Sequence, residues 1–464
     1  MTVEELLQQN PAEIVSEITK ARKVRDTAAY LKQFDPSKHD VHDTTKRPDK
    51  IIVTNNETTG EEVASTQAVS RISVPFQQII VDRAATFLVG EGIELMAETE
   101  GDNEDLLKEM VNHTWHDTKM DYKTRQLARV WMSETECAEL WYFVEKPELW
   151  EGFGFSGEAG KFALRCRILA RSLGDELYPY FDEYGDMVAF GHGYTVGKES
   201  YFDLYTANET INYKKQGDWK EVDRKTNLLS KIPVIYYERD LPEWSAVQPM
   251  IERYETMISN LADNNDYFAN PMIVVKGEVQ GFASKGEQGK IITTTGDASV
   301  NYLTWDQAPQ ATVFEKDLLQ EMIFAGTQTP DISFAKMNAI GNVSGIALKL
   351  MFMDAKLKTL KHQETFGEGV QRRVNLIKKC MALINTAVES AQSLQIIPQF
   401  EFYLPSNEQE LINMLVTSTG GKAIISQKTA VGINPFVTNA ATEMEVLNDE
   451  AAGQFGNIFP EPLQ

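Results

Sequence analysis

Apolar positions recur along this chain in three textures. Over residues 1–35, Leu6, Ile14, Ile18 and Tyr30 predict a helix with one apolar face. Residues 36–66 are polar and rich in Thr, Asp, Asn and Lys, which predicts a long loop or a partly mobile arm. "RISVPFQQIIVDRAATFLVGEGIEL" then puts Phe76, Ile79, Ile80, Ala84, Phe87 and Leu88 on one helical face, with Gly90 placed to stop the helix. A further helical stretch spans 103–133. From 137 to 238 the texture changes to short runs such as "CAELWYFVEK" and "IPVIYYER". Turn pairs Gly185-Asp186 and Gly217-Asp218 sit between runs, so this region reads as an antiparallel β meander.

Helical spacing returns at "DLPEWSAVQPMIERYETMISNLADNNDYFANP". Asp240 is a candidate N-cap and Pro242 lies in the expected first turn. Trp244, Val247, Ile251, Tyr254, Ile258, Leu261 and Phe268 form a narrow apolar seam. The helix should run ~25 residues, roughly 37 Å, with Pro249 loosening its start and Pro271 ending it. Residues 272–308 read as a small glycine-punctuated β insert. "ATVFEKDLLQEMIFAG" is a second helix, with a capping-box pattern at Thr312 and Glu315 and a stop at Gly326. A β module held between two helices is an unusual plan. Next, "FAKMNAIGNVSGIALKLMFMDAKL" joins a polar, glycine-containing loop to a long helical pattern that reaches Val388. A bend is expected at Gly367 and Gly369. A short strand, Gln399 to Leu404, precedes a helical C-terminal region. The fold class is therefore α+β.

Totals narrow the function. A chain of 464 residues exceeds one compact core, so two or more regions are expected. Apolar content of 42% and charged content of 24% are those of a folded chain. No apolar run approaches the ~20 residues of a membrane span, and the acidic, polar start "MTVEELLQQNPAEIV" is not a signal peptide. Three widely spaced cysteines, Cys137, Cys166 and Cys380, fit a reducing compartment better than a disulfide framework or a zinc site. A net charge of −23 argues against gripping nucleic acid by counterion release. It does not argue against a surface that DNA slides past.

Candidate chemistry is sparse. Gly341-Asn342-Val343-Ser344-Gly345 has its glycines four apart, is followed by Ile346-Ala347, and lacks the Lys and Ser or Thr of a Walker loop. A loop with Ser344 as helix N-cap is the plainer reading. His39-Asp40-Val41-His42-Asp43 could ligate a metal but has no second ligand cluster, so a solvated loop is favoured. The same holds for His113 and His116. No nucleophile elbow occurs, no catalytic carboxylate pair stands out, and no cofactor or metal is expected. The long helix carries Lys349, Lys356, Lys358, Lys361, Arg372, Arg373, Lys378 and Lys379. A solvated or partner-paired face is preferred there over DNA contact.

Four stretches in order, spanning about 70 to 450, resemble the portal proteins of tailed bacteriophages, in the branch common in phages of Gram-positive bacteria. They are the 71–95 helix with its Gly turn, the helix–β–helix plan at 240–326, "GNVSGIALKLMFMDAKLKTLKHQETFGEGVQRRVNLI", and "IISQKTAVGINPFVTNAATEMEVLNDE". The last contains a Ser-x-x-Thr turn, a Pro-x-Val and an acidic helix. The resemblance implies a wing at 1–239 and 345–405, stem helices at 240–270 and 311–330, a clip at 271–310, a tunnel loop at 331–344 and a short crown at 406–464. It implies a homo-oligomeric ring, a dodecamer, at the capsid vertex of the virion, assembled in the bacterial host cytoplasm. The implied partners are the terminase large subunit, the head–tail adaptor, the major capsid and scaffolding proteins, and double-stranded DNA passing without sequence specificity; no membrane is implied. Tunnel-loop residues facing DNA would be Lys336, Asn338, Gly341, Asn342 and Ser344. Clip residues facing partners would be Lys276, Glu278, Lys285 and Lys290. The competing expectations are another capsid or tail ring-forming protein without a DNA channel, and a nucleotide-binding enzyme using the 338–345 loop.

Overall fold

The computed structural model describes residues 3–55, 62–155, 160–268, 272–276, 279–281, 293–294, 299–303, 308–331, 349–402, 408–420, 423–437 and 439–456. In chain order the helices and strands are α1 (Val3–Leu7), α2 (Pro11–Ala21), α3 (Thr27–Phe34), β1 (Lys50–Asn55), β2 (Glu62–Gln67), α4 (Phe76–Val89), β3 (Ile93–Met96), α5 (Asp102–Asp117) and α6 (Met120–Glu134). The meander follows as β4 (Glu136–Glu145), β5 (Phe162–Leu169), β6 (Glu176–Phe181), β7 (Met187–Val196), β8 (Glu199–Thr206), β9 (Glu209–Gln216), β10 (Asp218–Thr226) and β11 (Val234–Glu238). Then come α7 (Gln248–Phe268), β12 (Met272–Lys276), β13 (Val279–Gly281), β14 (Thr293–Thr294), β15 (Ser299–Leu303) and α8 (Ala308–Gly326). The chain closes with α9 (Met353–Ile384), β16 (Ile397–Phe400), α10 (Glu408–Thr419), α11 (Gln427–Ile433) and α12 (Ala440–Gly456). The chain divides into two compact units, residues 1–330 with 354–403, and residues 331–353 with 404–464.

In the larger unit the meander forms two sheets. One has five strands in the order β10-β9-β8-β7-β6 and the other three, β11-β4-β5. Alternation along the strands gives the five-stranded sheet two apolar faces. Phe202, Leu204, Ile211 and Tyr213 meet Leu6, Ile14 and Ile18 from α1 and α2, while Leu177, Phe190 and Tyr205 meet Ala138, Leu169, Val234 and Tyr236 of the smaller sheet. The main core lies among α4, α5, α6 and α9, with Ile80, Leu88, Leu107, Leu127, Phe366, Val370, Val374 and Ile377 fully or almost fully buried.

Several expectations change. Residues 1–35 make three short helices, because Asn10 caps α2 through the Glu13 N–H and Asp26 caps α3 through the Ala29 N–H. Residues 36–66 are not a bare loop. They hold two 3-10 turns, Pro36–Lys38 and Asp40–His42, and the strands β1 and β2, paired antiparallel. The 103–133 stretch is two helices, separated where Lys119 takes a left-handed φ of 55°. α7 begins at Gln248, so Asp240 is not its N-cap but pairs with Lys23 at 2.6 Å. Pro249 consequently falls in the first turn, where a missing N–H costs nothing. α8 begins at Ala308, which puts Thr312 and Glu315 inside the helix rather than in a capping box, and it ends at Gly326 as expected. α9 covers 32 residues, including Gly367 and Gly369, and ends at Ile384, so Val388 falls in a 3-10 stretch, Thr386–Ser393, rather than in the long helix. The strand after it lies at Ile397–Phe400 and pairs with β3.

In the smaller unit, the Ser-x-x-Thr turn is an N-cap. Ser426 Oγ accepts the Thr429 N–H at 3.1 Å at the start of α11. Among the described residues no helix is long and apolar enough to cross a membrane.

Candidate functional site

The helix pair α7 and α8 flanks the β module. The expected seam of α7 is buried at its first end, through Trp244, Val247, Ile251 and Tyr254, and half-buried at Ile258 and Leu261. Ile323 and Leu319 of α8 share the core cluster of Ile251 and Tyr254 of α7, and Arg253 donates to Glu315 Oε1 from Nε and NH2 at 2.9 and 2.7 Å. A second row on α8 lies about 100° round the helix from that contact. It consists of Phe314, Leu318 and Met322, which are 70%, 43% and 43% exposed, with Val313 beside them.

α7 is joined to the segment before α4 by a row of polar side chains. Glu255, Ser259 and Asp263, one turn apart, accept the backbone N–H groups of Val74, Ile72 and Ser70 at 2.8, 3.0 and 2.6 Å. The spacings match: alternate N–H groups of an extended chain recur about every 6.6 Å, and four helical residues rise about 6 Å. Arg47 adds bonds to Asp263 and Asn260, both at 2.8 Å. His39, also buried, places Nδ1 2.6 Å from Glu255 Oε1.

The turn after α8 is anchored as firmly. Thr327 Oγ1 donates to the Ile323 carbonyl at 2.8 Å and the Thr329 N–H to the Phe324 carbonyl at 2.9 Å. Arg83 donates to the Pro330 carbonyl at 2.8 Å and stacks over Phe324. Lys358 of α9 donates to the Thr327 carbonyl at 2.6 Å and pairs with buried Glu243. Glu243 also meets Arg239 at 2.6 Å and His362 at 3.2 Å. Burial alone would raise the Glu243 carboxyl, but His362, Lys358 and Arg239 outweigh it and hold it well below the usual carboxylate range. Burial pulls Lys358 and His362 below their ordinary values. Arg239, Lys358 and His362 thus gather on the Glu243 carboxylate, and Lys358 ties this charge cluster to the Thr327 carbonyl on the α8 side of residues 332–348.

The expected tunnel-loop residues Lys336, Asn338, Gly341, Asn342 and Ser344 lie outside the described residues, as do Glu278, Lys285 and Lys290 of the expected clip. Lys276 is described, at the end of β12, and is exposed. The His39–Asp43 stretch is neither a solvated loop nor, among the described residues, part of a metal-ligating group. His39 faces Glu255, and His42 Nε2 lies 3.0 Å from Ser73 Oγ. His113 is not a free surface histidine either, since its Nε2 lies 2.8 Å from the Leu149 carbonyl beside Trp150 and Phe153. The basic run of α9 is partly internal: Arg373 and Lys378 are buried, Lys358 is half-buried, and Arg373 pairs with Glu139 in the core. Sequence reasoning missed the Glu255–Ser259–Asp263 row. Its i, i+4, i+8 spacing of polar residues along one face of α7 was the available signal.

A model of the family described as phage portal protein, SPP1 Gp6-like, matches residues 30–454. Among solved structures, a chain from the neck of an empty gene transfer agent particle aligns with a TM-score of 0.42 at 10% identity, covering 90% of this chain and 96% of that one. A chain from the virion of a native gene transfer agent particle aligns with a TM-score of 0.40 at 11% identity, with the same coverage. No curated protein matches. With the family match running from within α3 into α12, this chain belongs to the phage portal protein family.

Proposed function

We propose that this chain forms a dodecameric ring at the capsid vertex, through whose channel DNA is packaged and later ejected. The observation that carries this reading is the exposed row Phe314, Leu318 and Met322 on α8, beside a helix pair whose inner contact is already satisfied. A ring of identical subunits needs a lateral surface that one copy cannot bury alone. In this reading α7 and α8 are the stem and the β module between them is the clip, which docks the terminase and then the head–tail adaptor. Residues 331–344 are the tunnel loop, 406–464 a short crown, and the remainder the wing.

The portal family is structural and non-enzymatic, and the net charge of −23 suits that role. A negatively charged channel repels the phosphate backbone, so DNA slides instead of binding. Lys336, Asn338, Asn342 and Ser344 would touch phosphates weakly, and Gly341 would let the loop move. The charge cluster around Glu243 supports this assignment by giving such a loop a fixed root.

Two experiments test the parts. Deleting 338–343 should leave ring assembly intact and reduce packaged DNA; normal packaging would remove the loop's role. Charge reversal at Lys276, Glu278, Lys285 or Lys290 should weaken terminase binding while rings still form, and unchanged binding would move the docking surface elsewhere.

A further inference from the structure

We infer that His39 is a proton-dependent clasp between the N-terminal arm and α7, closed by the imidazolium and loosened when the ring loses its proton. Both ring nitrogens face acceptors. Nδ1 lies 2.6 Å from Glu255 Oε1, and Nε2 lies 2.7 Å from the Gln33 carbonyl at the end of α3. A carbonyl has no proton to give, and Glu255 Oε1 already accepts the Val74 N–H at 2.8 Å. Against an ionised Glu255, only a ring carrying both protons satisfies the two contacts, because a neutral imidazole would turn one lone pair toward an oxygen. His39 and Glu255 are 5% and 2% exposed, so little solvent is at hand to replace the lost bond.

The surroundings favour the charged ring. Burial opposes it, but the hydrogen bond and charge of Glu255, the Gln33 carbonyl and Asp35 outweigh burial and raise the pKa above the ordinary histidine value. A cavity of about 200 Å³ adjoins the pair, lined among others by Lys32, Lys38, Asp40, Lys46 and Glu252. Of these cations, Lys32 and Lys46 are both engaged by Asp40, and Lys38 by Asp35. The cavity gives solvent a route to the proton. Glu255 is also the first member of the row that holds residues 70–74, so the clasp joins three segments: the end of α3, α7 and the approach to α4. A group whose pKa is raised by folding adds stability that is complete below the unfolded value, near about 6.5, and lost as pH rises through the folded value. The clasp therefore opens toward alkaline pH.

The test is exchange of the histidine C2 proton in the full-length protein, followed by mass spectrometry from about pH 5 to about pH 9, with backbone amide exchange measured on the same samples. The wild-type His39 midpoint should lie above about 6.5. Amide exchange in residues 27–45 and 248–262 should accelerate as pH passes that midpoint, beyond the general base-catalysed rise seen in α2. Glu255→Gln should lower the midpoint by about one unit or more. A wild-type midpoint at or below about 6.5 would overturn the clasp, and so would amide exchange that follows α2 through the midpoint. Both readouts need only the wild type, so the conclusion stands even where the variant does not fold.

Discussion

Arg373 takes a charge into the centre of the larger unit, where its side chain is fully buried. Its Nε lies 3.0 Å from both oxygens of Glu139, its NH1 donates to Thr124 Oγ1 at 2.8 Å, and its guanidinium lies over Trp115. Tyr237 and Trp141 donate to the same carboxylate at 2.9 and 3.1 Å. Arg373→Met leaves that buried carboxylate without a counter-charge and should cost about 3–5 kcal/mol in urea unfolding. The double variant Arg373→Met/Glu139→Leu removes the stranded charge and should recover part of the loss, with Tyr237 and Trp141 then lacking their acceptor; a single-variant cost under about 1 kcal/mol would contradict the pairing. Gly369 is a second sensitive point. A Cβ there would stand 2.1 Å from the Tyr237 ring, so Gly369→Ala should cost about 1–3 kcal/mol by the same measurement, through overpacking. Neither role was legible in the sequence. Arg373 stood in a basic run and Gly369 read as a bend, since partners 234 and more than a hundred residues away leave no local trace.

Elements were read more securely than single residues. The helix–β–helix plan, the stop at Gly326 and the meander all follow from periodicity and turn chemistry, and all are present. Starts were harder. α7 begins eight residues after Asp240 because Trp244 and Val247 are buried in a turn whose apolar spacing imitates helix. β1 and β2 escaped because Ile51, Ile52 and Val53 are all exposed, so no face alternates with burial. Two predictions belong here. Phe314→Asp and Leu318→Glu should leave the melting temperature of the isolated chain nearly unchanged, as surface substitutions do, while abolishing assembly in mass photometry. Retained assembly would remove α8 from the subunit interface. The loop-root cluster should be acid-labile. Because Glu243 is held below its unfolded value, its contribution is present above about pH 4.5 and lost as pH falls toward its folded value. Glu243→Gln should flatten that loss of stability between about pH 5 and about pH 3, and an unchanged acid profile would contradict the charge assignment.

At the scale of the whole molecule, the ordered set of stretches mattered more than any motif. The family match covers residues 30–454, wider at the N-terminal side than the resemblance over about 70 to 450, even though no short segment was diagnostic. Charge was informative in the same global way. A net −23 spoke against a DNA grip and left room for a DNA passage. The histidines for which a metal site was the less favoured reading lie in structural pairings, with His39 held by Glu255 and His113 among aromatic rings.

Electron microscopy of the purified protein, with class averages of end-on views, tests the central claim most directly. The ring reading predicts particles with a central hole and about twelve spokes. Compact particles without a hole, persisting at high protein concentration, would contradict it.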